Sequence, residues 1–230
     1  MLHVWKASGD EVTAMPVGQV RSVRELKQEL EGPCGLPRFR QRILRSGVSL
    51  DDEAPLDSPA DLQLVLLQFA SASHAEKAAL SEAIYQGDIL EVERILNQPQ
   101  DPNLLDPWRG AAPLHVAARH NRAEVASLLL EAKADVNLQT VYNAWCTPLG
   151  TASAAGCVDM VRLLLEASAE MDSRDFCSRT PLMSAAFCGQ AQVVQLLLHA
   201  GANKEARDDN GATPLLVASQ CGHAKQCPVL

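Results

Sequence analysis

Thr180-Pro181-Leu182-Met183 opens a stretch that runs through Ala185-Ala186, Gly189 and Leu196-Leu197-Leu198 to Ala202-Asn203, and its recurrence decides the fold. Thr147-Pro148-Leu149-Gly150 precedes it, Thr213-Pro214-Leu215-Leu216 follows it, and Ala112-Pro113-Leu114-His115 stands earlier still. The four prolines lie 35, 33 and 33 residues apart. Leucine triplets recur at 128–130 and 163–165, and units close on Ala134-Asp135-Val136-Asn137 and Ala169-Glu170-Met171-Asp172. Such a period marks stacked units, none of which buries its apolar face alone.

Each unit reads as two short helices. Thr suits the N-cap, and Pro in the first turn gives up an N–H that has no helical partner there. Small pairs such as Ala117-Ala118 and Ala185-Ala186 let inner helices approach closely, while Gly156, Gly189 and Gly222 end them. The leucine triplets of the outer helices supply the core between units.

This pattern resembles the ankyrin-repeat family, over about residues 77–230. The resemblance implies an α-solenoid of about five units. The first, Ala79–Asn103, is degenerate: it lacks Thr-Pro and keeps Ala83, Gly87, Ile95 and Leu96. The last is incomplete, because Pro228 stands where its outer helix should continue. The resemblance gives His115 a structural role within its turn.

Residues before 70 have another texture. Leu2–Lys6 and Glu11–Pro16 read as strands, Ser22 caps a helix carrying Val23, Leu26 and Leu30, and Gln41–Leu44 and Leu62–Gln68 read as further strands. With Gly35-Leu36-Pro37 after the helix and Gln41-Arg42-Ile43-Leu44-Arg45-Ser46-Gly47 beyond it, the order resembles ubiquitin-like domains: a small α+β (β-grasp) unit over residues 1–69, with a linker at 70–76. No Gly-Gly follows the last strand, so the resemblance implies a built-in docking module, with ubiquitin-system components as candidate partners. Its apolar recognition patch would fall on Ala7, Leu44 and Val65, Ala7 being smaller than the family's usual residue. Arg38, Arg40, Arg42 and Arg45 read as the solvated face of a strand.

The bulk numbers narrow the function. Hydrophobic residues at 47% and charged ones at 21% describe a globular chain, and aromatics at 4% leave the core to Leu, Val, Ile and Ala. A net charge of −8 disfavours a nucleic-acid partner. The seven cysteines are odd in number and lack disulfide-framework spacing, which predicts free thiols and a reducing compartment. With neither signal peptide nor transmembrane run, the expected location is cytoplasmic or nuclear, without membrane contact.

Chemistry is sparse. Phosphate-loop, zinc-protease and nucleophile-elbow motifs are all missing, so no catalytic residue, cofactor or metal is assigned. Asp208-Asp209-Asn210-Gly211 lacks calcium-loop spacing and fits a β-turn. Cys188, Cys221, His223 and Cys227 could ligate zinc, but repeat positions account for the first three.

The aromatics carry more. Six of nine lie in the repeats: Tyr85, Trp108, Tyr142, Trp145, Phe176 and Phe187. By the family resemblance, Trp108 and Phe176 fall on equivalent fingertips, and Tyr85, Arg119, Phe187 and Gln220 on equivalent inner-helix ends. Arg109 and Arg179 flank the fingertips. Aromatics and Arg dominate binding energy at protein interfaces, so these ten residues form the candidate partner surface. Two extra residues before Pro148 predict a projecting finger around Thr140–Trp145, with Trp145 where a glycine is expected. The expected function is a non-enzymatic adaptor or scaffold binding another protein. The alternative is a regulatory fragment of a larger enzyme, a ubiquitin ligase or kinase.

Overall fold

The computed structural model describes residues 1–69, 72–98, 100–107, 110–140 and 147–224. They form two compact units, one of residues 1–71 with 94–101, the other of 72–93 with 102–230.

In the first unit β1 (Leu2–Lys6), β2 (Glu11–Met15), α1 (Val23–Glu29) and a short helical turn α2 (Glu31–Cys34) precede a 3-10 turn at Arg38–Arg40. Then come β3 (Gln41–Arg45), β4 (Val48–Ser49) and β5 (Ala60–Leu66). The mixed sheet has the order β2-β1-β5-β3-β4, with β1 parallel to β5 and the other pairs antiparallel. This arrangement is consistent with a β-grasp-like domain. Strand alternation sends Leu2, Val4, Ile43, Leu62 and Leu64 inward, where Val23, Leu26 and Leu30 of the helical segment meet them. Ser22 caps α1 as expected, its Oγ accepting from Glu25 N at 3.3 Å. The two-residue β4 is too short to show alternation and was not expected.

The arginine reading needs correction. Arg38 is not solvated: it is 1% exposed, and Nη1 donates to Asp52 Oδ2 at 2.7 Å. Lys27 Nζ holds the other oxygen of Asp52 at 2.6 Å. Arg38 lies in the 3-10 turn ahead of β3, so strand alternation does not govern it. Arg42 and Arg45 on the strand itself are exposed.

The second unit starts with α3 (His74–Gln86) and α4 (Ile89–Leu96, continuing into the first unit), followed by α5 (Pro113–Arg119), α6 (Ala123–Glu131), α7 (Pro148–Ala155) and α8 (Val158–Glu166). α9 (Pro181–Phe187), α10 (Ala191–Ala200) and α11 (Pro214–Gln220) complete it. α3 begins three residues ahead of the expected repeat boundary. Ser73 forms a capping box with Glu76 that closes the first turn, and its backbone hydrogen bond pulls the Glu76 carboxyl below its usual range.

The inner helices α3, α5, α7, α9 and α11 pack in succession. Ala117, Ala118, Ala152, Ala185 and Ala186 at their contacts are fully buried, so backbones approach closely. Thr147, Thr180 and Thr213 cap α7, α9 and α11, whereas Ala112 leaves α5 without a side-chain cap. Of each outer-helix leucine triplet, only the middle residue (Leu129, Leu164 or Leu197) is fully buried. The expected gap in the last outer helix falls on 225–230, outside the described residues.

Candidate protein-binding surfaces

The fingers joining the units are built by carboxylates. Asp175 Oδ1 accepts from the backbone N–H of Cys177 (2.8 Å) and of Arg179 (2.9 Å). Asp208 Oδ1 does the same for Asn210 (2.9 Å) and Ala212 (2.8 Å), one unit later. The Asp208–Gly211 run is therefore a turn, as expected. Among the described residues no group of three His, Cys, Asp or Glu could hold a metal ion. Neighbouring units are zipped together where they close: Asn103, Asn137 and Asp172 accept from the backbone N–H of Asp135, Glu170 and Asn203 at 2.7, 2.8 and 3.1 Å.

On this frame Phe176 stands at the fingertip, 64% exposed. Arg179 returns from the finger toward the inner helix, where Nε and Nη2 both lie 2.9 Å from Asp175 Oδ2. Its guanidinium carbon lies 5.8 Å from the centroid of Phe187, the last residue of α9. The structure thus joins Arg179 to Phe187 within cation–π range. Phe187 stays 43% exposed.

Tyr85, also 43% exposed, occupies the corresponding end of α3, and its ring meets His120 edge-on at 4.8 Å. Arg119 and Gln220 end α5 and α11 and are exposed. The expected Trp108, Arg109, Tyr142 and Trp145 lie outside the described residues. His120 was not singled out from sequence, because its contact with Tyr85 joins residues 35 positions apart.

In the first unit Leu44 and Val65 share the outer sheet face, opposite the buried Ile43 and Leu64. Ala7 is exposed just past β1. Sequence reasoning missed Trp5, whose alternation with Leu2 and Val4 was a usable signal. It is 36% exposed and pairs with Gln63, which in turn pairs with Leu44, so one row runs across β1, β5 and β3.

The described cysteines 34, 157, 177, 188 and 221 are unbridged. Burial pushes the Cys157 and Cys188 thiols up from their usual value, Cys188 also through neighbouring Cys221. No helix among the described residues is long and apolar enough to cross a membrane.

The family model for ankyrin repeats (three copies) matches residues 80–175 and 169–230. The chain is 36% identical over 86 residues to the glycerophosphocholine phosphodiesterase gde1 of Schizosaccharomyces pombe, covering 37% of this chain and 7% of that protein. It is 33% identical over 84 residues to the E3 ubiquitin-protein ligase KEG of Arabidopsis thaliana, covering 36% and 5%. With the neurogenic locus notch homolog protein 1 of Mus musculus it shares 37% identity over 98 residues, covering 42% and 3%. The chain thus spans a small fraction of these relatives, which match through their ankyrin regions. Ankyrin repeats form protein–protein interaction modules. With the matched segments taking in α5 to α11 and most of the chain, this protein belongs to the ankyrin-repeat family.

Proposed function

We propose that the chain is a non-enzymatic adaptor whose ankyrin units grip a protein partner through inner-helix ends and fingertips. The observation behind this reading is the exposure of Tyr85, Phe176 and Phe187 in a stack whose described core is aliphatic. Large aromatics left at the surface supply anchor energy on binding. Residues 1–69 would act as a second docking module through the face bearing Trp5, Leu44 and Val65, with ubiquitin-system components as candidate partners. Cytoplasm or nucleus remains the proposed location.

Affinity purification with the full chain and with a Phe176→Ala/Phe187→Ala double variant tests the main reading. A partner retained by the first and lost by the second, at equal unfolding midpoints, supports it. Equal recovery by both moves the binding face elsewhere. A second reading, a regulatory segment of a larger enzyme, draws on the relatives: gde1 and KEG are named as a phosphodiesterase and a ligase, and the matches cover 7% and 5% of them. Sequencing the full transcript separates the two readings.

A further inference from the structure

We infer that the inner-helix groove takes an extended acidic peptide, with a carboxylate on Arg119 and an apolar side chain about three residues away seated over Ala154 against Phe187. This rests on the groove being the binding face, and adds the chemistry of its occupant.

Charge points first to an acidic ligand. The chain carries 28 Asp and Glu against 20 Lys and Arg. Yet from Tyr85-Gln86 in the first unit to Gln220-Cys221 in the last, the paired positions ending the inner helices hold no acid. Of the carboxylates close to these positions, Asp175 has a side chain 5% exposed and is tied to Arg179 and two backbone N–H groups, and Glu82 of α3 accepts from Gln86 Nε2 at 2.7 Å. Arg119 is exposed and has no hydrogen bond or ion pair among the described residues. An exposed arginine in a strip whose paired positions carry no acid favours a carboxylate-bearing ligand over a basic one.

Shape supplies the rest. α7 packs between α5 and α9, so Arg119, Ala154 and Phe187 are successive steps along one groove. Ala154 is half-buried and stands where its neighbours carry Arg and Phe, leaving a notch. Phe187 forms one wall, with Arg179 against its ring. Packed helices lie about 8–10 Å apart, and an extended chain advances about 3.3 Å per residue. One unit therefore corresponds to about three residues of ligand.

Selection of a random nonapeptide phage library on the full chain tests this. The expected winners carry Asp or Glu about three residues from Leu, Ile, Met or Phe. Arg119→Glu should weaken the best of them at least about tenfold and should enrich Lys or Arg at the acidic place when selected afresh. Ala154→Phe, with an unchanged unfolding midpoint, should weaken it similarly by filling the notch; if that variant unfolds, the Arg119→Glu result decides alone. Winners without an acid, winners indifferent to Arg119→Glu, or no enrichment at all would overturn the inference. Acid-free winners lost on Phe187→Ala would leave the groove as the binding face and remove only its acidic ligand. Winners retained by both Arg119→Glu and Phe187→Ala would remove both readings.

Discussion

The imidazole of His223 lies so close over Gly189 that a Cβ on the glycine would stand 2.8 Å from Nδ1. Gln190 covers Gly156 and Arg122 covers Gly87 in the same way, each glycine lying in the unit before its covering side chain. The covering side chains also take backbone oxygens of the helix beneath: Arg122 Nη2 donates to Tyr85 O at 2.8 Å, and Gln190 Nε2 to Ala154 O at 3.4 Å. Carbonyls at a helix end lack partners within the helix. In these three pairs the later unit closes the inner helix of the one before it, and the positions at those helix ends are held by the next unit.

This gives two opposite glycine effects. Gly189 has φ +69°, so Gly189→Ala meets both backbone strain and His223, and should cost more than about 1 kcal/mol. Gly150 has ordinary φ and its added Cβ would meet only Thr147 Oγ1, at 3.5 Å. Gly150→Ala should therefore stabilise by about 0.5–1 kcal/mol. Urea titration of the full chain reads both, and the same sign for the two would contradict this account.

The caps make a second pair. Thr180 Oγ1 accepts from Met183 N at 3.3 Å, so Thr180→Ala should lose about 1 kcal/mol. Ala112 has the same extended cap conformation (φ −77°, ψ 155°) without a side-chain acceptor. Ala112→Thr should stabilise the array, as measured by its urea midpoint. A fall would mean that the buried site around Ala112 has no room for the hydroxyl.

In the first unit Asp52 neutralises two buried cations, Lys27 and Arg38. Asp52→Ala leaves both without that carboxylate and should cost about 3–5 kcal/mol, seen as a lower urea midpoint of Trp5 fluorescence in a Trp108→Phe/Trp145→Phe background. A loss below about 1 kcal/mol would show that water reaches these cations freely.

Thiol reactivity should follow burial. Cys177 is exposed on its finger, while Cys157 and Cys188 have thiols pushed up by desolvation. Fewer thiolates and poorer access slow alkylation. Timed iodoacetamide labelling read by peptide mass mapping should mark Cys177 well before Cys157. The reverse order, or a disulfide in natively purified protein, would contradict the free-thiol reading.

Features set within a few residues were legible in the sequence. Thr180, Pro181 and the N–H of Met183 are near neighbours, so the cap and the start of α9 follow from local chemistry. The 33-residue recurrence then supplied the stacking, because a repeat contacts others of its own kind. Alternation likewise placed Leu2 and Val4 inward. It predicted an outward Arg38 wrongly, because that residue lies in a 3-10 turn ahead of the strand and Asp52 takes its charge inside.

The sequence by itself determined the repeat array, its helix starts and the aliphatic identity of its core, since caps and periodicity act over one or two helical turns. Tertiary structure alone decided which groups meet: Arg179 with Phe187 between a finger and its own inner helix, and, across units, Tyr85 with His120 and His223 with Gly189. It also aligned Trp5 with Leu44 through Gln63. The physical reason is range. Such contacts depend on how turns aim one helix or strand at another, and no spacing along the chain encodes that direction.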